Sequence, residues 1–131
     1  MGIKPESLNM LDKELLDIFG QKLISRVRDQ SIFEFEGMVQ GKIKSANMVK
    51  LNNELKIFDK HQIEILKKVV LTAIDSVIYN TLDMLEQNEE SIRLLISQEG
   101  KNEKNIVDIS DGLSGELFTK KGWVEKFSKY K

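Results

Sequence analysis

The chain has 131 residues, of which 40% are hydrophobic and 31% charged, a composition typical of one folded domain spanning 1–131. The absence of cysteine excludes disulfides, thiolate metal sites and cysteine nucleophiles. The single histidine excludes zinc motifs built on histidine pairs, and no apolar run approaches the ~20 residues of a membrane span. The N-terminus lacks the apolar stretch of a secretion signal, so we expect a cytoplasmic bacterial protein that needs no cofactor.

Two amphipathic segments are predicted before residue 42. In the segment 8–28, apolar residues recur at three- and four-residue steps, which indicates a helix that packs along one face. The segment 31–41 contains an alternating stretch typical of a strand, but Ser31 and Glu34 have the spacing of a helical capping box. We favour a helix there, ended by Gly41.

Two further helices are predicted in the middle of the chain. The first spans about 46–57 and is expected to be capped by Ser45. The second is long, spans about 60–89, and begins with the capping pair Asp59 and Gln62. Apolar residues cover well over half of its circumference, which predicts a central helix packed on several sides.

The pattern changes after residue 90. The segment 92–109 predicts a small β-hairpin or extended segment, with 98–105 as its loop and the β-branched stretch 106–109 as its second strand. A short helix follows, with Trp123 and Phe127 on one side. The predicted fold is therefore mainly α (α+β), a helical bundle around the helix at about 60–89.

The net charge of −1 is the sum of regions with opposite charge. Between 75 and 116 there are ten acidic and three basic residues, a regional charge of −7, whereas 37–60 carries +3 and 117–131 carries +4. An acidic surface suits a basic protein partner and disfavours nucleic acid. We therefore predict a non-enzymatic protein-interaction module, without nucleic-acid or membrane binding. The predicted partner-binding residues lie in this acidic region: Asp75, Tyr79, Asp83, Glu86, Asp108, Asp111 and Glu116.

Four residues are assigned structural roles. Asn80 lies on an apolar side of the long helix, so we expect it to be buried and hydrogen-bonded to the glycine-containing C-terminal segment. Gly112 and Gly115 form a G-x-x-G pattern, but the acidic residues beside them disfavour binding of a phosphate group. We expect instead that these glycines adopt a positive φ or let another part of the backbone pack closely against them. Trp123 is expected to anchor the core. His61 falls on the polar side of the long helix and is expected to be exposed.

Two alternatives remain open at this point. The first is a small carboxylate- or metal-dependent hydrolase that uses Asp108, Asp111 and Glu116 with Asp75 or Asp83. This alternative requires at least three of these carboxylates to converge, and no spacing in the sequence assigns a catalytic or metal-binding residue. The second is a structural homodimer that associates through an exposed patch on the first or third helix.

Two segments resemble small bacterial proteins of unknown function. These are the stretch ISDGLSGEL at 109–117, followed by Gly122 and Trp123, and the stretch YNTLDMLEQN at 79–88. That family implies no chemistry for this chain. Toxin-neutralising immunity proteins have a similar size and acidic charge, and this analogy extends the interaction hypothesis to an immunity or antitoxin type of function.

Overall fold

The computed structural model describes the backbone of residues 5–131 and the side chains of residues 11–131. Residues 1–4, part of the stretch from which we expect no secretion signal, lie outside the described residues. The described chain is mainly helical with one two-stranded antiparallel hairpin, which confirms the predicted fold class. Within this part of the chain, no helix is both long and apolar enough to cross a membrane.

The first forty residues contain one unbroken helical stretch rather than two separate helices. It has three consecutive parts: α1 (Pro5–Leu23), a π-helical turn (Ile24–Asp29) and α2 (Gln30–Val39). The helical interpretation of 31–41 is thus confirmed. The predicted helix start at Ser31 is wrong, because the residues on both sides of the π-helical turn keep right-handed helical angles.

The chain turns back after α2, and α3 packs against it. Gly41, with a φ of 72°, ends α2 as predicted. Helix α3 spans Ala46–Glu54 and continues into one 3-10 turn, Leu55–Ile57. The side-chain amide of Asn52 donates to two backbone carbonyls at the end of α2, both at 2.9 Å, and so joins the two helices.

The longest single element is α4 (Lys60–Gln87), and its start is the predicted capping box. The Gln62 backbone N–H donates to Asp59 Oδ1 at 2.8 Å, and the Asp59 backbone N–H donates to Gln62 Oε1 at 2.9 Å. Ser45, at the corresponding position before α3, makes no side-chain capping bond, so its predicted role is wrong.

Only part of α4 is covered by the other residues that the structure describes. Its buried residues, Ile78, Leu82 and Leu85, all lie in its C-terminal half. Val69 and Val77, which we expected to be packed, are 59% and 66% exposed. The prediction that the apolar circumference of this helix is covered on several sides is therefore wrong.

The hairpin lies where it was predicted, with a different internal arrangement. Its strands are β1 (Leu95–Gln98) and β2 (Lys101–Asn105), joined by Glu99 and Gly100, both with positive φ. Three residue pairs define the register: Leu95 with Asn105, Ile96 with Lys104, and Gln98 with Lys101. The predicted loop is therefore mostly the second strand, and the predicted strand at 106–109 is a 3-10 turn, Ile106–Ile109.

The C-terminal segment wraps over α1 and the C-terminal half of α4. It contains a second 3-10 turn, Ser114–Glu116, and a short helix, α5 (Trp123–Phe127). Trp123 is almost fully buried, which confirms its predicted role in the core. The main core cluster joins α1, the π-helical turn, α4 and the C-terminal segment: Leu16, Ile24, Ile78, Leu82, Leu85, Ile106, Leu113, Leu117 and Trp123.

Candidate functional site

The most concentrated polar chemistry in the described chain is centred on Arg28, which is only 2% exposed. Its guanidinium makes a two-point ion pair with Asp75 on α4: Nε lies 2.6 Å from Oδ1 and Nη2 lies 3.3 Å from Oδ2. The same guanidinium donates through Nη1 to the Ser128 hydroxyl at 2.8 Å and to the Tyr130 backbone carbonyl. Arg28 therefore joins the π-helical turn, α4 and the C-terminal tail.

Asp29 holds the same tail from the adjacent position. Its Oδ1 accepts a hydrogen bond from the Ser128 hydroxyl at 2.7 Å, and its Oδ2 accepts one from the Lys129 backbone N–H at 2.8 Å. The Ser128 hydroxyl also accepts from the Tyr130 backbone N–H at 2.8 Å. Among the described residues, no buried side-chain nitrogen or oxygen lacks a hydrogen-bond partner. This cluster is consequently complete without a ligand and is best explained as a structural connection.

Sequence reasoning missed this cluster because the π-helical turn changes which side chains face inward. Val27, one of the apolar residues of the predicted helix at 8–28, is exposed in the structure. The buried positions are instead Ile24, Arg28 and Ile32, which follow one another at four-residue steps. The four-residue spacing of Arg28 from Ile24 and Ile32 is the sequence feature that could have indicated its burial.

A half-open cavity of about 230 Å³ lies between α2 and α4, next to the tail. Its walls are mainly apolar, with Glu36, Lys67 and Tyr130 among the polar residues. Ligand sites are usually larger, about 300–1,000 Å³, and contain several converging polar groups. This cavity thus has room for a small apolar group, but it does not have the arrangement of an enzyme active site.

The predicted partner-binding residues divide into two groups. Three of them make contacts within the chain: Asp75 pairs with Arg28, Glu86 accepts from the Ser114 backbone N–H, and Glu116 accepts from the Ser110 hydroxyl at 2.8 Å. The others are exposed or half-buried: Tyr79, Asp83, Asp108 and Asp111. The Glu86 contact fixes the segment 110–116 beside the C-terminal half of α4.

Three of the structural assignments need correction. Asn80 is exposed, and its side chain contacts only the Ser76 hydroxyl, at 3.4 Å, so its predicted burial is wrong. Gly112 and Gly115 have no positive φ, and a Cβ added to either would meet nothing within 4 Å. The close approach occurs instead at Gly122, where an added Cβ would lie 2.7 Å from the Glu116 carbonyl oxygen.

The hydrolase alternative depends on carboxylates that lie close together. Across residues 11–131, no group of three or more histidine, aspartate and glutamate side chains is arranged to hold a metal ion. His61 is exposed in the first turn of α4, as predicted. The described residues therefore provide no metal site for the metal-dependent form of that alternative.

Comparison of the chain with protein-family models, with curated proteins and with solved structures found no match.

Proposed function

We propose that this protein is a non-enzymatic module that binds a basic protein partner through an acidic surface. The surface comprises the C-terminal half of α4 and the segment 108–116. The main support for this proposal is the hydrogen bond from the Ser114 backbone N–H to the Glu86 carboxylate, because this bond brings the two acidic segments together.

The exposed carboxylates within this surface favour electrostatic recognition. Asp108 and Asp111 are exposed on the 3-10 turn and the bend that follow the hairpin, and Asp83 is half-buried on α4. None of these three carboxylates has a hydrogen bond or ion pair with another described residue. An acidic surface accelerates encounter with a basic protein and disfavours wrong partners. Neutralisation of a basic toxin, the immunity or antitoxin type of function, is the specific form of this proposal.

The test compares two double variants that remove the same charge. Asp108→Asn with Asp111→Asn removes two carboxylates from the proposed surface. Glu34→Gln with Glu54→Gln removes two exposed carboxylates from α2 and α3 and serves as the control. The probe is a basic protein captured by the wild-type chain at low ionic strength, then purified and titrated by calorimetry against all three chains.

The expected result is a loss of at least about tenfold in affinity for the first variant, little change for the control, and weaker wild-type binding as salt is raised. Equal binding by both variants overturns the proposed surface. Failure to capture any basic protein, or binding that is insensitive to salt, overturns the proposed class of partner.

A further inference from the structure

We propose that the uncovered apolar stripe of α4 is the interface of an antiparallel, two-fold dimer between two copies of this chain. The stripe consists of Ile65, Val69, Ala73, Val77 and Met84. The proposal does not depend on the binding of a basic partner: Asp83 belongs to both surfaces, but the stripe itself is apolar and Asp108 and Asp111 lie outside it.

The stripe is an apolar surface along one side of α4, interrupted by the exposed Asn80 between Val77 and Met84. Ile65, Val69, Val77 and Met84 are 48%, 59%, 66% and 42% exposed. Four-residue steps place Ile65 to Val77 along one side of the helix, and Met84 continues the same side. The buried residues of α4 face the opposite way, so within the part of the chain that the structure describes, this side has no packing partner.

The middle of the stripe has the shape needed for close helix packing. Ala73 has a small side chain, and small residues at a crossing point let two helix axes approach to about 8 Å. A shallow groove of about 300 Å³ runs beside it, between α4 and the π-helical turn. Its lining is almost entirely aliphatic and includes Val27, Val70 and Ile74. A partner side chain from the same stripe has both the size and the polarity to enter this groove.

Charge complementarity indicates that the molecule packed on the stripe is a second copy of this chain, in antiparallel orientation. Lys68 and Asp83 lie along the same edge of the stripe, one in each half of α4, and neither has an ion pair within the described residues. Their midpoint in the sequence falls at Asp75 and Ser76, close to the midpoint of the stripe. A two-fold axis there places Lys68 opposite Asp83 of the partner subunit, and the same pair recurs by symmetry. In a parallel two-fold arrangement, this edge of one helix lies on the opposite side of the interface from the same edge of its partner, so the Lys68–Asp83 pairs do not form.

The first experiment measures self-association by light scattering and sedimentation velocity over a wide range of concentration. Val69→Asp and Val77→Asp each place a carboxylate within the interface and should raise the dimer dissociation constant by at least about tenfold. Ile57→Asp changes an apolar residue that is 82% exposed outside the stripe and should leave self-association unchanged. Circular dichroism of each variant establishes that it is folded.

The second experiment tests the orientation. Lys68→Glu alone and Asp83→Lys alone each place like charges opposite each other and should weaken self-association, whereas an equimolar mixture of the two variants should form a heterodimer. The Asp108→Asn and Asp111→Asn variant should dimerise normally, which separates this proposal from the proposed function. A monomer at all concentrations, or a wild-type affinity in Val77→Asp, overturns the proposal. Binding of a different protein at the stripe by a monomeric chain also overturns it.

Discussion

The indole ring of Trp123 lies directly on the backbone of Gly20, joining α5 to the last turn of α1. A Cβ built on Gly20 would stand 2.6 Å from Trp123 Cδ1, well inside the contact distance of two carbon atoms. The neighbouring Phe19 meets the same indole edge-on, with ring centroids 5.6 Å apart. A glycine within a helix is less favourable than alanine by about 1 kcal/mol, so this contact explains why the position has no side chain.

Gly20→Ala should therefore destabilise the protein although it improves helix propensity. Displacement of the indole or of α1 costs about 1–3 kcal/mol, which over most of this range exceeds the propensity gain of about 1 kcal/mol. Urea denaturation followed by tryptophan fluorescence measures the change in the free energy of unfolding and reports on the environment of Trp123. Gly115→Ala is the matched control and should change stability by less than about 0.5 kcal/mol, because its Cβ would enter open space. Equal effects at the two positions would contradict this explanation.

Arg28 should be the charged residue whose loss costs the most stability. Arg28→Ala leaves Asp29 and Asp75 without their cation and should lower the free energy of unfolding by about 3–5 kcal/mol. Arg28→Lys should recover only part of this loss, since an ammonium group does not reproduce the two-point contact. Thermal and urea denaturation measure both variants. Arg26→Ala, at an exposed position in the same π-helical turn, should have little effect, and an equally large loss there would overturn the assignment.

The sequence predicted the elements whose determinants are local. The capping pair Asp59 and Gln62 marked the start of α4 correctly, and Gly41 marked the end of α2, because both features act through neighbouring backbone groups. Strand β2 was missed since its sequence, Lys101–Asn105, is polar. Its strand conformation comes from pairing with β1 across a tight turn rather than from its own propensity.

The candidate sites were less predictable because they depend on contacts between distant parts of the chain. Arg28 and Asp75 are 47 positions apart, and Arg28 and Ser128 are 100 positions apart. The π-helical turn also alters the helical register, so the apolar pattern before it does not identify the buried residues after it. Asn80 was placed in the core because the sequence pattern of α4 does not distinguish a face covered by this chain from one left open.

Asp59→Ala should destabilise α4 through the loss of its cap. The Asp59 carboxylate accepts the Gln62 backbone N–H, and removal of such a cap costs about 1 kcal/mol. Ser45→Ala is the matched control, because Ser45 occupies the equivalent position before α3 without a side-chain bond, and its removal should cost almost nothing. Urea denaturation followed by far-ultraviolet circular dichroism compares the two. A larger loss for Ser45→Ala would show that it caps α3 in solution.

Glu86 should determine how firmly the segment 110–116 is held on α4. Glu86→Ala removes the acceptor of the Ser114 backbone N–H, and the loss of a hydrogen bond to a charged group at a buried residue costs about 1.5–3 kcal/mol. Glu86→Gln keeps an oxygen acceptor and should lose less. Hydrogen exchange of the Ser114 amide should accelerate in Glu86→Ala far more than in the exposed control Glu90→Ala. Unchanged exchange at Ser114 would mean that the core residues Leu113 and Leu117 hold this segment without the carboxylate.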